Sequence, residues 1–155
     1  MYLILKVIHV GAVVLFLGNI TTGIFWKTIA DVSNNIEIMK HSVRGITRSD
    51  RVFTVPALVV LIAAGIATAV VGNIPILHTG WILWSLILLS MSGLAFIPVS
   101  RLQVQLFDVL DRQPPDMSLY RRLSDRWAVW GAIALLTPAA AFVLMILKPA
   151  LPAFR

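Results

Sequence analysis

Lys6 and His9 stand about one helical turn apart in an otherwise apolar opening stretch, Met1–Trp26. An ionisable group in lipid needs a partner, because hydrocarbon solvates neither its charge nor its lone pair. Neutral imidazole can give a lone pair to iron or carry a proton near neutrality, so His9 is a candidate metal ligand, axial to a haem, or a proton-handling group. The same ring can equally serve as a structural hydrogen-bond partner to a neighbouring helix or a headgroup. Lys6, about 60° around the helix from His9, either pairs with a haem propionate or snorkels to the interface. His78, beside Thr79 and just before Trp81, is a second imidazole at His9's end of the molecule or a solvated loop residue. Asn19, Thr21 and Thr22 form a polar patch deep in the first apolar stretch, suited to interhelical hydrogen bonds or to contact with a substrate.

Other chemistries lack their residues. The chain has no cysteine, which excludes disulfides, thiolate metal sites and cysteine nucleophiles. The five methionines are scattered and make no copper relay. No Gly-rich phosphate loop, nucleophile elbow, His-Glu-x-x-His pattern or pair of carboxylates is present. Hydrolytic chemistry therefore has no visible equipment.

The elements that must position His9 are membrane helices. Of the 155 residues, 59% are hydrophobic and 13% charged, far from the balance of a soluble domain. Four stretches are long and apolar enough to cross a bilayer, roughly 2–26, 52–72, 81–100 and 127–147, which predicts one all-α membrane domain over 1–155. The first resembles a signal peptide in position only: no basic leader precedes it and no small-x-small site follows, so it reads as a retained helix. The net charge of +6 belongs to membrane topology and anionic lipid rather than to nucleic acid.

Lysine and arginine distribution sets the expected orientation. The first connection and its edges hold Lys27, Lys40, Arg44, Arg48 and Arg51, and the third holds Arg101, Arg112, Arg121, Arg122 and Arg126. The second, 72–80, holds none, and the flanks add Lys6, Lys148 and Arg155. Both basic connections are expected in the cytoplasm and both termini on the periplasmic side of a bacterial inner membrane. His41 then falls on the side away from His9.

Within the third connection, Leu102, Leu106, Val109 and Leu110 share one face, the pattern of an amphipathic extension ended by Pro114-Pro115. Ser33–Met39 predicts a shorter helix with Ser33 as N-cap and Glu37 in its first turn. Arg48-Ser-Asp-Arg51 and Leu123-Ser-Asp-Arg126 echo each other, and in each the Ser or Asp is expected to cap a membrane helix. The second span, rich in alanine, is expected to be the central helix. Gly11 and Gly18 are expected to pack one neighbour while His9 looks the opposite way. Pro56 is placed in a first turn, Pro98 near a kink, and Trp26, Trp81, Trp84, Trp127 and Trp130 in aromatic belts.

Three patterns together resemble a known family. They are Leu5-Lys6-Val-Ile-His9-Val with Gly11 and Gly18; Ser49-Asp-Arg51-Val-Phe-Thr-Val-Pro56-Ala57 running into Gly65; and Trp127 with Gly131 closing on Leu144-Met-Ile-Leu-Lys148-Pro149. Nearly the whole chain resembles the bacterial integral membrane family called domain of unknown function 2269. The first two patterns are also similar to those of the oxygen-independent membrane protoporphyrinogen oxidases and the copper-resistance D proteins. That resemblance implies a b-type haem associated with His9, and marks Lys6, Arg51 and Pro56 as positions matching the oxidase motifs. It departs at Trp81-Ile-Leu-Trp84-Ser85, where the oxidases carry a functional lysine, and late in the third span, where they carry a histidine. Two functions are therefore expected. One is a haem-associated, redox-linked membrane protein with His9 as ligand and Lys6 or Arg51 near propionates. The other is a cofactor-free accessory or scaffold subunit docking a second copy or other membrane subunits.

Overall fold

The computed structural model describes residues 1–153; Arg155, counted above among the flanking charges, lies outside them. Five helices follow one another: α1 (Tyr2–Val32), α2 (Ile36–Ser49), α3 (Val55–Val71), α4 (Gly80–Asp111) and α5 (Met117–Leu147), with a π-helical turn, Asp50–Thr54, fusing α2 to α3. Among the described residues there is no strand. Four helices, counting 36–71 as one, are long and apolar enough to cross a membrane.

The helices outrun the bilayer. At 1.5 Å per residue the 32 residues of α4 and the 31 of α5 reach about 48 and 46 Å, against roughly 30 Å of hydrocarbon. The surplus lies at one end, here called the basic end because both basic connections are there. In this overhang the α4 extension buries the face that its pattern implied: Leu102, Leu106, Val109 and Leu110. They pack with Met39 and Val43 of α2, Ala30 of α1, and Tyr120, Leu123 and Trp127 of α5. A smaller cluster, Ala12 and Phe16 with Ala57 and Leu61, joins α1 to α3 within the membrane.

Several expectations are corrected. The cap of α2 is Asn35, whose Oδ1 accepts from the Glu37 and Ile38 amides at 3.0 and 3.2 Å; Ser33 instead donates to the Ala30 carbonyl. Neither Ser-Asp pair opens a helix. Ser49 and Asp50 lie inside a continuous helix, and α5 begins earlier, capped by Asp116 on the amides of Ser118 and Leu119 at 3.0 Å each. Pro56 does fall in the first turn of α3, as expected, but that turn continues a helix rather than opening one. Its missing N–H and its ring disrupt the turn before it, and the π turn absorbs this: the Val55 amide donates five residues back, to the Asp50 carbonyl.

Packing pairs α4 with α5 most extensively and α1 with α3 next, while α3 makes no backbone-level contact with α4 or α5 among the described residues. The alanine-rich second span is therefore peripheral, its Ala57 and Ala64 spent on α1. Gly11 and Gly18 face open space rather than a neighbour. Trp127 is a core residue at 6% exposure, whereas Trp26, Trp84 and Trp130 are exposed as a belt requires. Pro138 frees the Ala134 carbonyl inside α5, and Ser92 of α4 donates to that oxygen at 2.7 Å. At the opposite end, Gly80 lets the backbone of Leu151 pass against α4, and the Trp84 indole donates to the Pro152 carbonyl.

Candidate functional site

His9 lies against α3. Its Nδ1 is 2.8 Å from the carbonyl oxygen of Leu61. A carbonyl only accepts, so Nδ1 carries the proton and, in the neutral ring, the lone pair is on Nε2. One turn along α3, Gly65 makes room: a Cβ there would sit 3.0 Å from both Cε1 and Nδ1 of the imidazole. The hydrogen bond and the close backbone approach both come from the same stretch of α3, so the ring is seated against that helix. A backbone carbonyl accepting from one ring nitrogen fixes the tautomer and leaves the other nitrogen as the one able to accept a proton or donate its lone pair.

The remaining residues singled out from the sequence are dispersed. Lys6 is exposed on α1, one turn nearer the N-terminus. His78 is exposed in the 72–80 connection, at the end where Tyr2 meets Gly72, and so on His9's side. Arg51 is exposed on the π turn, ten residues before Leu61 and about 15 Å from it along the helix, toward the other end. His41 lies on α2 at the basic end. Among the described residues no group of three His, Cys, Asp or Glu is placed to hold a metal ion.

The most connected polar groups are ones the sequence had not marked for chemistry. At the π turn, Gln103 of α4 donates to Asp50 Oδ2 at 2.8 Å, and Thr54 donates to Oδ1 at 2.8 Å. Asn19 donates to Thr54 Oγ1 at 2.7 Å, and Ser49 donates to Asn19 Oδ1 at 2.5 Å. Gln103 and Thr54 donate to the carboxylate directly, and Ser49 and Asn19 are linked to it in series through Thr54. Asp50, Thr54 and Gln103 are all buried, and the Asn19 part of this network fulfils the interhelical role expected of it. A cavity of about 20 Å³ adjoins Asp50, Gln103 and Trp127, a volume that holds one water. Among the described residues the buried Trp127 Nε1 has no acceptor.

Closer to the basic end, Lys27 is 3% exposed. It donates to Asp31 Oδ2 at 2.6 Å and to Ser124 Oγ at 2.7 Å, with Tyr120 OH at 3.4 Å. Tyr120 and Ser124 donate to the same carboxylate at 2.6 and 2.9 Å. The ammonium also sits 5.2 Å from the ring centroids of Tyr120 and Trp127. Lys27 had counted only as a topology charge, and Ser124 as a cap. A signal existed: Lys27/Asp31 and Asp50/Thr54 are both i,i+4 pairs at the margins of apolar runs, in a chain with only seven acidic residues.

Long apolar helices around polar groups buried on their facing sides define the class, a multi-pass helical membrane protein. The chain belongs to the DUF2269 family, described as predicted integral membrane proteins, whose model matches residues 3–149. No curated protein and no solved structure matches it significantly.

Proposed function

We propose that this is a redox-linked protein of the bacterial inner membrane that holds a b-type haem through His9, with its basic end in the cytoplasm. The observation that carries the reading is the hydrogen bond from His9 Nδ1 to Leu61, which leaves Nε2 as the ligating nitrogen. The donor chemistry fits one axial position of a haem iron. Lys6, at the same end, is the cation available to a propionate; Arg51 lies at the other end and is not needed for it. Haem, when bound, supplies one-electron exchange. What the chain contributes is the orientation of the imidazole and a fixed proton on Nδ1, which raises the basicity of Nε2. The similarity of Lys6-x-x-His9 to the stretch that opens the membrane oxidases supports the same reading.

The test is the visible spectrum of protein purified in mild detergent after expression with haem supplied. A Soret band is expected that disappears in His9→Ala and persists in His78→Ala. A colourless wild-type protein overturns the reading. One observation favours a second reading, an accessory subunit: Gly11 and Gly18 lie on an open face of α1, a surface where another helix can approach closely. Stoichiometric co-purification of a partner chain with colourless protein is the outcome that selects it.

A further inference from the structure

The continuous helix made by α2, the π turn and α3 carries one long surface stripe. Toward the basic end the stripe is cationic: Lys40, Arg44, Arg48 and Arg51 follow at spacings of four, four and three residues, so they share a face. Past the π turn it becomes apolar. Val55, Val59, Ile62 and Ile66 continue the same helical spacing, and all four are exposed. The buried residues of α2, Met39, Val43 and Ile46, lie on a different face. The stripe runs beside α4 at its cationic end, where Lys40 and Arg44 stand 5.6 and 4.9 Å from the ring centroid of Phe107. Past the π turn α3 makes no backbone-level contact with α4 among the described residues. The two helices therefore part near Arg51, and the exposed valines and isoleucines border a flank open to acyl chains.

Charge decides what that flank takes. Lys40 is paired with Asp111, and Arg44 also acts on that carboxylate. Asp50, next to Arg51 in sequence, is buried and held by Gln103 and Thr54. Arg48 and Arg51 are exposed, and neither belongs to an ion pair among the described residues, which are Lys27 with Asp31 and Lys40 with Asp111. The apolar run that begins at Val52 is long enough to fill the hydrocarbon core, so these two guanidiniums, about 4.5 Å apart along the helix axis, sit at the level of the lipid phosphates. A guanidinium holds a phosphate through paired N–H donors, and a zwitterionic headgroup brings a cation of its own against them. We propose that Arg48 and Arg51 hold the headgroup of an anionic phospholipid whose acyl chains lie along Val55, Val59 and Ile62 between α3 and α4. The proposal does not rest on the haem reading, which places its ligand on α1 and does not need Arg51.

The experiment uses the full chain, delipidated in mild detergent and mixed with equimolar phosphatidylglycerol and phosphatidylcholine of identical acyl chains, with native mass spectrometry reading the bound lipids. The wild-type protein is expected to retain phosphatidylglycerol over phosphatidylcholine by roughly tenfold, the scale set by two cations at a membrane surface. Arg48→Gln combined with Arg51→Gln is expected to bring the ratio to about twofold or less. Arg121→Gln combined with Arg126→Gln, two exposed cations of α5, is expected to leave it unchanged, as is His9→Ala. Equal retention of the two lipids by the wild-type protein overturns the proposal, whatever the variants do. So does a preference that survives loss of Arg48 and Arg51, or one that falls equally in the α5 variant, which assigns it to net charge rather than to this stripe. Because haem is not read here, an absent Soret band with the lipid preference intact separates failure of the haem reading from failure of this one.

Discussion

The two ends of this molecule are built on different terms. At the basic end, α1, α2, α4 and α5 meet around a continuous apolar core, and the buried polar groups are joined into networks: Asp50 with Gln103, Thr54 and Asn19; Lys27 with Asp31, Ser124 and Tyr120. At the other end the α3 backbone packs only on α1 and the turn before it among the described residues, and the polar links between helices are isolated hydrogen bonds to backbone carbonyls, His9 to Leu61 and Ser85 to Ala141. Lipid supplies no hydrophobic force between helices, so a membrane bundle is held by close packing and interhelical hydrogen bonds. The overhang beyond the bilayer escapes that limit, because its apolar face buries against water. Stability should therefore concentrate at the basic end, leaving the His9 end free to carry chemistry that a rigid core does not need.

The sharpest way to break that comparison is Asp31→Ala. It leaves the Lys27 ammonium buried without its counter-charge, a loss of about 3–5 kcal/mol for pairs of this kind, while Asp31→Ala combined with Lys27→Met is expected to recover most of it. Thermal unfolding in detergent reads both. A single-variant loss under about 1 kcal/mol means that the pair is hydrated and that the basic end is not the stable one. Gln103→Leu is next. It removes the only donor to Asp50 Oδ2 among the described residues and exposes a buried carboxylate oxygen to apolar surroundings, a loss of about 2 kcal/mol. A neutral result would show that water already solvates that oxygen through the adjacent cavity.

At the other end the expected sign is different: little stability and much function. Gly65→Ala places a methyl 3.0 Å from Cε1 and Nδ1 of His9, so the ring must give by a few tenths of an ångström and its hydrogen bond to Leu61 is expected to lengthen. The stability change is expected to stay below about 1 kcal/mol, the scale of one interhelical hydrogen bond in a membrane. The Soret band expected for the wild-type protein is lost or shifted. A large fall in melting temperature with an unchanged spectrum would reverse the assignment of roles to the two ends.

What was legible in the sequence follows the same division. Runs of apolar residues announce membrane helices because the bilayer demands them, and the Leu102–Leu110 face was readable because water on one side imposes a helical period. Inside the bilayer neither constraint acts. Ser124, Asp125 and Asp50 are good capping types, yet interhelical hydrogen bonding uses the same types, and only the start of α5 at Met117 decides against a cap at Ser124. Trp127 and Lys27 fitted an aromatic belt and a topology charge, and their burial depends on α5 extending beyond the membrane. Gln103 sits 53 positions from its partner Asp50, and no local pattern announces such a pairing. His9 was legible as a polar group in need of a partner; that its partner would be the Leu61 carbonyl beside Gly65 was not.

The smallest effect concerns the turn that leads into the stable end. Asp116 caps α5, and hydrogen bonds from the Leu119 amide and from Ser118 hold its carboxyl below the usual carboxylate range. A depressed folded value means that the cap contributes fully above the unfolded pKa, about 3.9, and that its contribution is lost as pH falls through the folded one. Amide hydrogen exchange at Ser118 and Leu119 reports it directly. Protection relative to the intrinsic rate is expected to hold at about pH 5 and to weaken below about pH 3, and to show no such step in Asp116→Asn, whose side-chain oxygen accepts at either pH. The change is confined to the first turn of α5, because the next turn, at Tyr120 and Leu123, is locked into the core. If protection instead collapses along α5 at low pH, the overhang is less stable than its burial implies, and the contrast between the two ends fails at the place where it is strongest.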